Sequence, residues 1–93
     1  MSHKEDAFVY ILECSDGSYY TGWSTNVSRR LATHNSGHGS KYTRLRRPVR
    51  LAYTEPQLNR STAMKREAQI KRWSRAQKEI LVRSTDVEKE DQK

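Results

Sequence analysis

A single cysteine, Cys14, stands in 93 residues. No intrachain disulfide can form, and so sparse a use of thiols points to a reducing, cytoplasmic compartment. No apolar run approaches the roughly 18 residues of a membrane span. The polar start, residues 1–6, lacks the apolar core of a secretory signal and reads as a disordered N-terminus. Hydrophobic residues make up only 33% of the chain, enough for one small domain with a thin core. Internal repeats and low-complexity blocks are absent as well. Acids are the scarcest group where it matters: between Arg29 and Arg83 only Glu55, Glu67 and Glu79 stand against fifteen lysines and arginines. That excess favours a polyanionic partner, because clustered cations gain affinity by releasing counterions from a phosphate backbone. Four of the remaining acids fall in residues 84–93, which read as a disordered acidic tail.

What is present has a clear order. Phe8 to Cys14 and Ser18 to Trp23 are β-branched and aromatic runs separated by Ser15-Asp16-Gly17, a hairpin signal. A three-residue loop with Gly17 left-handed pairs Leu12 with Tyr20, which puts Tyr10 and Tyr20 on one face as diagonal neighbours. A two-residue turn would slip the register and separate them. Asn26 caps a helix over residues 27–35 that Gly37 stops. On that helix Val27, Leu31 and His34 share a side, Arg30 flanks them, and Arg29 points about 160° from Val27. Residues 37–48 read as a glycine-punctuated basic loop, and residues 49–55 as a third strand with Val49, Leu51 and Tyr53 as its apolar set. Helices follow over residues 60–73, capped by Asn59, and 76–83. The fold class is α/β (α+β): a small three-stranded antiparallel sheet flanked by helices, in the order ββαβαα, over residues 7–83.

The chemistry-bearing residues are Tyr10, Tyr20, Arg30, His34 and Glu67. Glu67 falls in the apolar stripe of its helix, between Ala63, Ile70 and Met64, where a lone carboxylate is costly unless paired or metal-bound. An ion pair with an arginine such as Arg30 and a Mg²⁺ or Mn²⁺ site both satisfy it. Arg30 offers a rigid fork for phosphate oxygens, either as a catalytic group or as a surface anchor. His34 fits a catalytic role beside Arg30 and equally a structural one. Tyrosine's free pKa of about 10 makes a poor base, and the surrounding cations are expected to lower it. Lys41, Tyr42, Arg44, Arg46 and Arg47 form a basic run in which Tyr42 can stack on a base, and Lys71 and Arg72 extend the positive surface. Trp23 and Trp73 read as packing residues.

The segments Phe8-Val9-Tyr10 and Tyr20-Thr21-Gly22, followed by Arg30, His34 and Glu67, resemble the GIY-YIG endonuclease superfamily, most closely its small single-domain bacterial members. The resemblance spans residues 7–83. It implies metal-dependent hydrolysis of DNA phosphodiester bonds with low sequence specificity, structure-selective in DNA repair or recombination. It also implies one divalent cation at Glu67 and catalytic roles for Tyr10, Tyr20, Arg30 and His34, with Tyr20 as the base. Phe8 replaces the first motif's glycine, Thr21 the second motif's isoleucine, and Trp23 a lysine that some members use in proton transfer. A non-catalytic module that holds DNA or RNA on the same basic surface is the rival reading. No membrane and no protein partner is implied, and a monomer is expected.

Overall fold

A computed structural model describes the backbone over residues 6–91 and the side chains through residue 84. The N-terminal residues 1–5 and the last two residues, parts of the two segments expected to be disordered, lie outside the described residues. Three strands, β1 (Ala7–Glu13), β2 (Tyr19–Ser24) and β3 (Arg50–Gln57), form an antiparallel sheet in the order β2-β1-β3. Four helices are interleaved: α1 (Val27–Asn35), α2 (Lys41–Arg44), α3 (Arg60–Lys71) and α4 (Arg75–Asp91). The ββαβαα order holds, with α2 added.

The hairpin follows the three-residue reading. Gly17 sits at φ 85°, its N–H donates to Cys14 O at 2.9 Å, and Cys14 N–H donates to Ser18 O at 2.8 Å. Leu12 therefore pairs with Tyr20 and Tyr10 with Gly22. The sheet has two unlike faces. Val9 and Ile11 point toward α3 and α4, packing with Ala63, Ile70 and Trp73. Tyr10, Leu12 and Cys14 point the other way, packing with Val49, Tyr20, Val27 and Leu31.

Four expectations are corrected. The third strand begins at Arg50 and runs to Gln57, and a bulge opposite Ile11 and Leu12 breaks its alternation. Tyr53 pairs with Ile11 and Leu51 with Leu12, so these two residues face opposite ways. The basic loop contains α2, because the Ser40 side chain accepts from Thr43 N–H and the Thr43 side chain returns the bond to Ser40 N–H. α3 stops at Lys71 rather than at Trp73. α4 continues through Asp91, since nothing in its Glu- and Lys-rich end breaks a helix.

Two further bonds fix α1 to the sheet. Asn35 Nδ2 donates to Val49 O at 2.9 Å and Val49 N–H donates to Asn35 Oδ1 at 2.8 Å. With Asn26 capping the other end through Arg29 N–H at 3.0 Å, α1 is held at both termini over the Tyr10 face.

Candidate active site

His34 is the hub. It comes from the last turn of α1 and is only 2% exposed. Its Nε2 lies 3.1 Å from Tyr10 Oη and its Nδ1 lies 2.8 Å from Thr43 Oγ1. The Tyr20 ring meets it edge-on at 5.1 Å. Two glycines leave room for this arrangement. A Cβ at Gly22 would fall 2.5 Å from Tyr10 Oη, and one at Gly39 would fall 2.1 Å from His34 Nδ1. The glycine of the second motif is thus explained by the tyrosine of the first, which lies directly across the ladder.

Arg30, one helical turn before His34, reaches the same place from the solvent side. It is exposed rather than at a buried edge, and it lines an open cleft of about 490 Å³ with Tyr20, His34, Arg29, His38 and Ser40. Glu67 approaches from α3 at the margin of β2. Met64 is 52% exposed, so the apolar stripe narrows to Ala63 and Ile70, and Glu67 sits on its border with 22% of its side chain exposed. Its ion-pair partner is Lys71, with Nζ 3.6 Å from Oε2, and not Arg30. Lys71 Nζ also lies 5.9 Å from the centre of the Tyr20 ring. Lys71 therefore connects Glu67 to Tyr20 as well as belonging to the basic surface.

The basic run divides into two kinds of residue. Tyr42 stacks on Tyr20 at 6.1 Å and 28°, and the Arg46 guanidinium sits 3.8 Å from the Tyr42 ring centre. Arg46 also binds Asp16 of the hairpin at 3.1 Å. Arg47 donates to Arg44 O at 3.0 Å and to Asn35 O at 3.4 Å. Tyr42, Arg46 and Arg47 thus brace the fold around Tyr20 and α1, while Tyr42 stays 37% exposed. Lys41, Arg44 and Arg72 are exposed and remain suited to phosphate contact.

Burial dominates the electrostatics. Burial, reinforced by the neighbouring Tyr20, pushes Tyr10 up to about 12, with Arg30 only partly opposing it. The expected lowering by cations does not occur at this tyrosine, which stays a neutral phenol near pH 7. Burial, then the Arg30 charge, lowers His34 below the usual imidazole range and keeps it neutral. The cleft therefore presents the Tyr20 side chain, a neutral imidazole and a guanidinium, with the neutral Tyr10 phenol buried behind His34 and Glu67 connected through Lys71, which lies over the Tyr20 ring. Such a set can receive a phosphodiester, orient water and stabilise added negative charge.

Thr43, Gly39 and Lys71 are the participants that residue-by-residue reading missed or misplaced. The Ser40-x-x-Thr43 spacing, a short-helix capping signal, was the available sign of an ordered turn there.

A family model described as the GIY-YIG catalytic domain matches residues 6–80. The chain belongs to the GIY-YIG family. A UPF0213 protein of Halobacterium salinarum is 60% identical over 73 residues, covering 78% of this chain and 95% of that protein. A UPF0213 protein of Streptococcus pneumoniae is 54% identical over 79 residues, covering 85% and 78%. Among solved structures, the solution NMR structure of the protein EF2693 from E. faecalis is 44% identical, with a TM-score of 0.61 and coverage of 94% of this chain and 93% of that one. That of the UPF0213 protein BH0048 from Bacillus halodurans is 51% identical, with a TM-score of 0.53 and coverage of 83% and 82%.

Among the described residues no three His, Cys, Asp or Glu side chains converge into a ready cage. One partly exposed carboxylate is nevertheless the donor chemistry that suits Mg²⁺ or Mn²⁺, which keep several waters and take ligands from substrate phosphates. Glu67 fits that description once Lys71 moves aside. No described helix is long and apolar enough to cross a membrane.

Proposed function

We propose that this protein is a metal-dependent endonuclease that hydrolyses DNA phosphodiester bonds with little sequence preference. The observation that carries it is the meeting of Tyr20, His34 and Arg30 in one cleft, with Tyr10 bonded behind His34 and Glu67 paired to the Lys71 that lies over Tyr20, in a chain with net charge +7. The scissile phosphate lies against Arg30, whose planar fork matches two of its oxygens. Water attacks phosphorus and the bond to the 3′ oxygen breaks; Tyr20, the more exposed of the two tyrosines, takes the water's proton as its minor phenolate form, and solvent protonates the departing oxygen. Tyr10, held neutral, orients rather than deprotonates. Glu67 would hold a Mg²⁺ or Mn²⁺, which would supply positive charge to offset that developing at the departing oxygen. Lys41, Arg44 and Arg72 meet flanking phosphates. With so small a domain, DNA shape, as at nicks, flaps and junctions in repair or recombination, provides the selectivity.

The Glu67–Lys71 ion pair favours the second reading, a non-catalytic nucleic-acid clamp, because it leaves the carboxylate satisfied without metal. One experiment separates the two. Labelled linear, nicked, flapped and four-way-junction DNA is incubated with the protein in Mg²⁺, Mn²⁺ or EDTA, beside Glu67→Ala and Arg30→Ala. The nuclease reading expects metal-dependent product, lost in Glu67→Ala and reduced about 10²–10³-fold in Arg30→Ala with binding retained. Binding without product from any protein leaves the clamp. Matched RNA strands in the same assay decide the sugar preference.

A further inference from the structure

Thr43 is fully buried, lies nine residues from His34 in sequence, and makes the shortest contact to its ring, 2.8 Å to Nδ1. The direction of that contact decides which ring nitrogen of His34 carries the proton. A hydroxyl has one proton to give and two lone pairs to receive with. Thr43 Oγ1 receives from Ser40 N–H at 3.3 Å and lies 3.2 Å from the Ser40 carbonyl oxygen. The carbonyl, which also accepts from Arg44 N–H at 3.0 Å, can only accept, so the hydroxyl proton is assigned to its second lone pair. Were the proton aimed at His34 instead, two acceptor oxygens would face each other at 3.2 Å with no hydrogen between them. Two groups compete for the remaining lone pair of Oγ1, Ser40 Oγ at 3.2 Å and His34 Nδ1 at 2.8 Å, and the shorter contact assigns it to Nδ1–H. Nε2 is left as an acceptor, and its neighbour at 3.1 Å is Tyr10 Oη.

We infer that Thr43 is a positioning residue that fixes His34 in the Nδ1–H tautomer, so that Tyr10 O–H donates to Nε2 and turns its own lone pairs toward the cleft. The bonds run in one direction, from Tyr10 to His34 to Thr43 to the Ser40 carbonyl. Each link is confined: Gly22 admits Tyr10 Oη and Gly39 admits the His34 ring. The consequence for the reaction, which rests on the nuclease reading above, is that Tyr10 presents an acceptor to the attacking water instead of a competing donor. The reverse tautomer would make Tyr10 an acceptor from Nε2–H and would aim its proton into the cleft. The small α2 helix is then the device that sets the polarity of the site, through the capping box that already orients Thr43.

The test does not depend on cleavage. Two-bond ¹H–¹⁵N correlation spectra of the free protein report which imidazole nitrogen is protonated, with His34 assigned by comparison with His3→Gln and His38→Gln. The expected result is a donor-type shift at Nδ1 and an acceptor-type shift at Nε2. Thr43→Val is expected to lose that pattern, giving mixed or Nε2–H signals, and Thr43→Ser to restore it. In the DNA assay Thr43→Val should lower kcat about tenfold at unchanged KM, the scale of one lost neutral hydrogen bond, with recovery in Thr43→Ser. An Nε2–H signal in the parent protein overturns the inference outright, even if Thr43→Val fails to fold. An Nδ1–H signal that persists in folded Thr43→Val overturns the role of Thr43. The correct spectrum without cleavage from any protein would instead sink the nuclease reading while leaving the tautomer assignment standing.

Discussion

The two faces of one three-stranded sheet are built on different principles. Against α3 and α4 the sheet presents Val9 and Ile11, and the side chains that answer them are Ala63, Ile70, Trp73, Leu81 and Val82. One polar cluster, Arg66 of α3 on Glu55 with Tyr53, lies beside that contact, but its organising force is the removal of apolar surface from water. Against α1 and α2 the sheet presents Tyr10, and what answers it is His34, backed by Thr43 and edged by Tyr20. Here buried polar groups are tolerated only because each has a partner. Alternation along a strand separates these environments by a single residue. The dry face supplies the free energy that lets so thin a core hold a polar site, and the wet face supplies the chemistry. Mutations on the two faces should therefore fail in different ways.

The largest effect is expected on the dry face. Ile70 is wholly buried, and Ile70→Ala removes three carbons from between α3 and the sheet. A loss of about 2–5 kcal/mol is the usual range for such a truncation, enough to threaten a domain of this size. Urea unfolding measures it. If a variant this damaging to stability also showed a selective defect in kcat at temperatures where it remains folded, the division between the faces would be wrong. Gly22→Ala is the counterpart on the wet face. Its methyl would lie 2.5 Å from Tyr10 Oη, so the phenol or the strand must shift. Such overpacking costs about 1–3 kcal/mol, but the displaced hydroxyl should depress cleavage beyond what the lost stability explains. Melting and cleavage measured together distinguish that outcome from simple unfolding.

A third expectation concerns acid. His34 titrates below the usual imidazole range in the folded chain, so the unfolded state binds the proton more readily. Stability from this group is fully present above the unfolded value of about 6.5 and is lost as pH falls through the folded value. The slope contributed by one proton cannot exceed about 1.4 kcal/mol per pH unit. Glu55, lowered by its bonds to Arg66 and Tyr53 although burial opposes them, loses its contribution in a more acid window, below its ordinary range. Thermal melting between pH 7 and 5 should thus decline in the parent and flatten in His34→Gln. An identical decline in both would assign the effect elsewhere.

Much of this was readable from residue order. The Ser15-Asp16-Gly17 signal marked the hairpin, and the three-residue reading gave the shared face of Tyr10 and Tyr20. The structure bears it out, with Gly17 left-handed and Asp16 not, whereas a two-residue Asp-Gly turn would need both at positive φ. Asn26 and Asn59 marked their helix starts for the same local reason. What escaped was set by distant partners. Periodicity cannot register a bulge, so Leu51 and Tyr53 were placed on one face. The partner of Glu67 was sought among arginines across the fold, whereas Lys71 sits one turn along the same helix. The stacking of Tyr42 on Tyr20 and under Arg46 is invisible in residue order because both neighbours come from outside α2. The direction of the Tyr10 shift was missed because local charge is visible in a sequence and burial is not.

The smallest expected effect has the opposite sign. Thr21 adjoins Gly22 but points to the dry face, 2% exposed, with an Oγ1 that finds no hydrogen-bond partner there. A buried hydroxyl left unpaired carries the desolvation cost without the bond that would offset it. Thr21→Val keeps the β-branched shape that a strand favours and removes the orphan oxygen. It should stabilise the chain by about 1 kcal/mol, which for a domain of this size raises Tm by about 4–8 °C. Cleavage should not change, since the substitution is on the far side of the sheet from His34. Neighbouring residues would then respond in opposite directions, position 22 losing stability and activity to an added methyl while position 21 gains stability from a lost hydroxyl. A fall in Tm for Thr21→Val would show that the hydroxyl has found a partner, and that the face against α3 is less dry than its packing indicates.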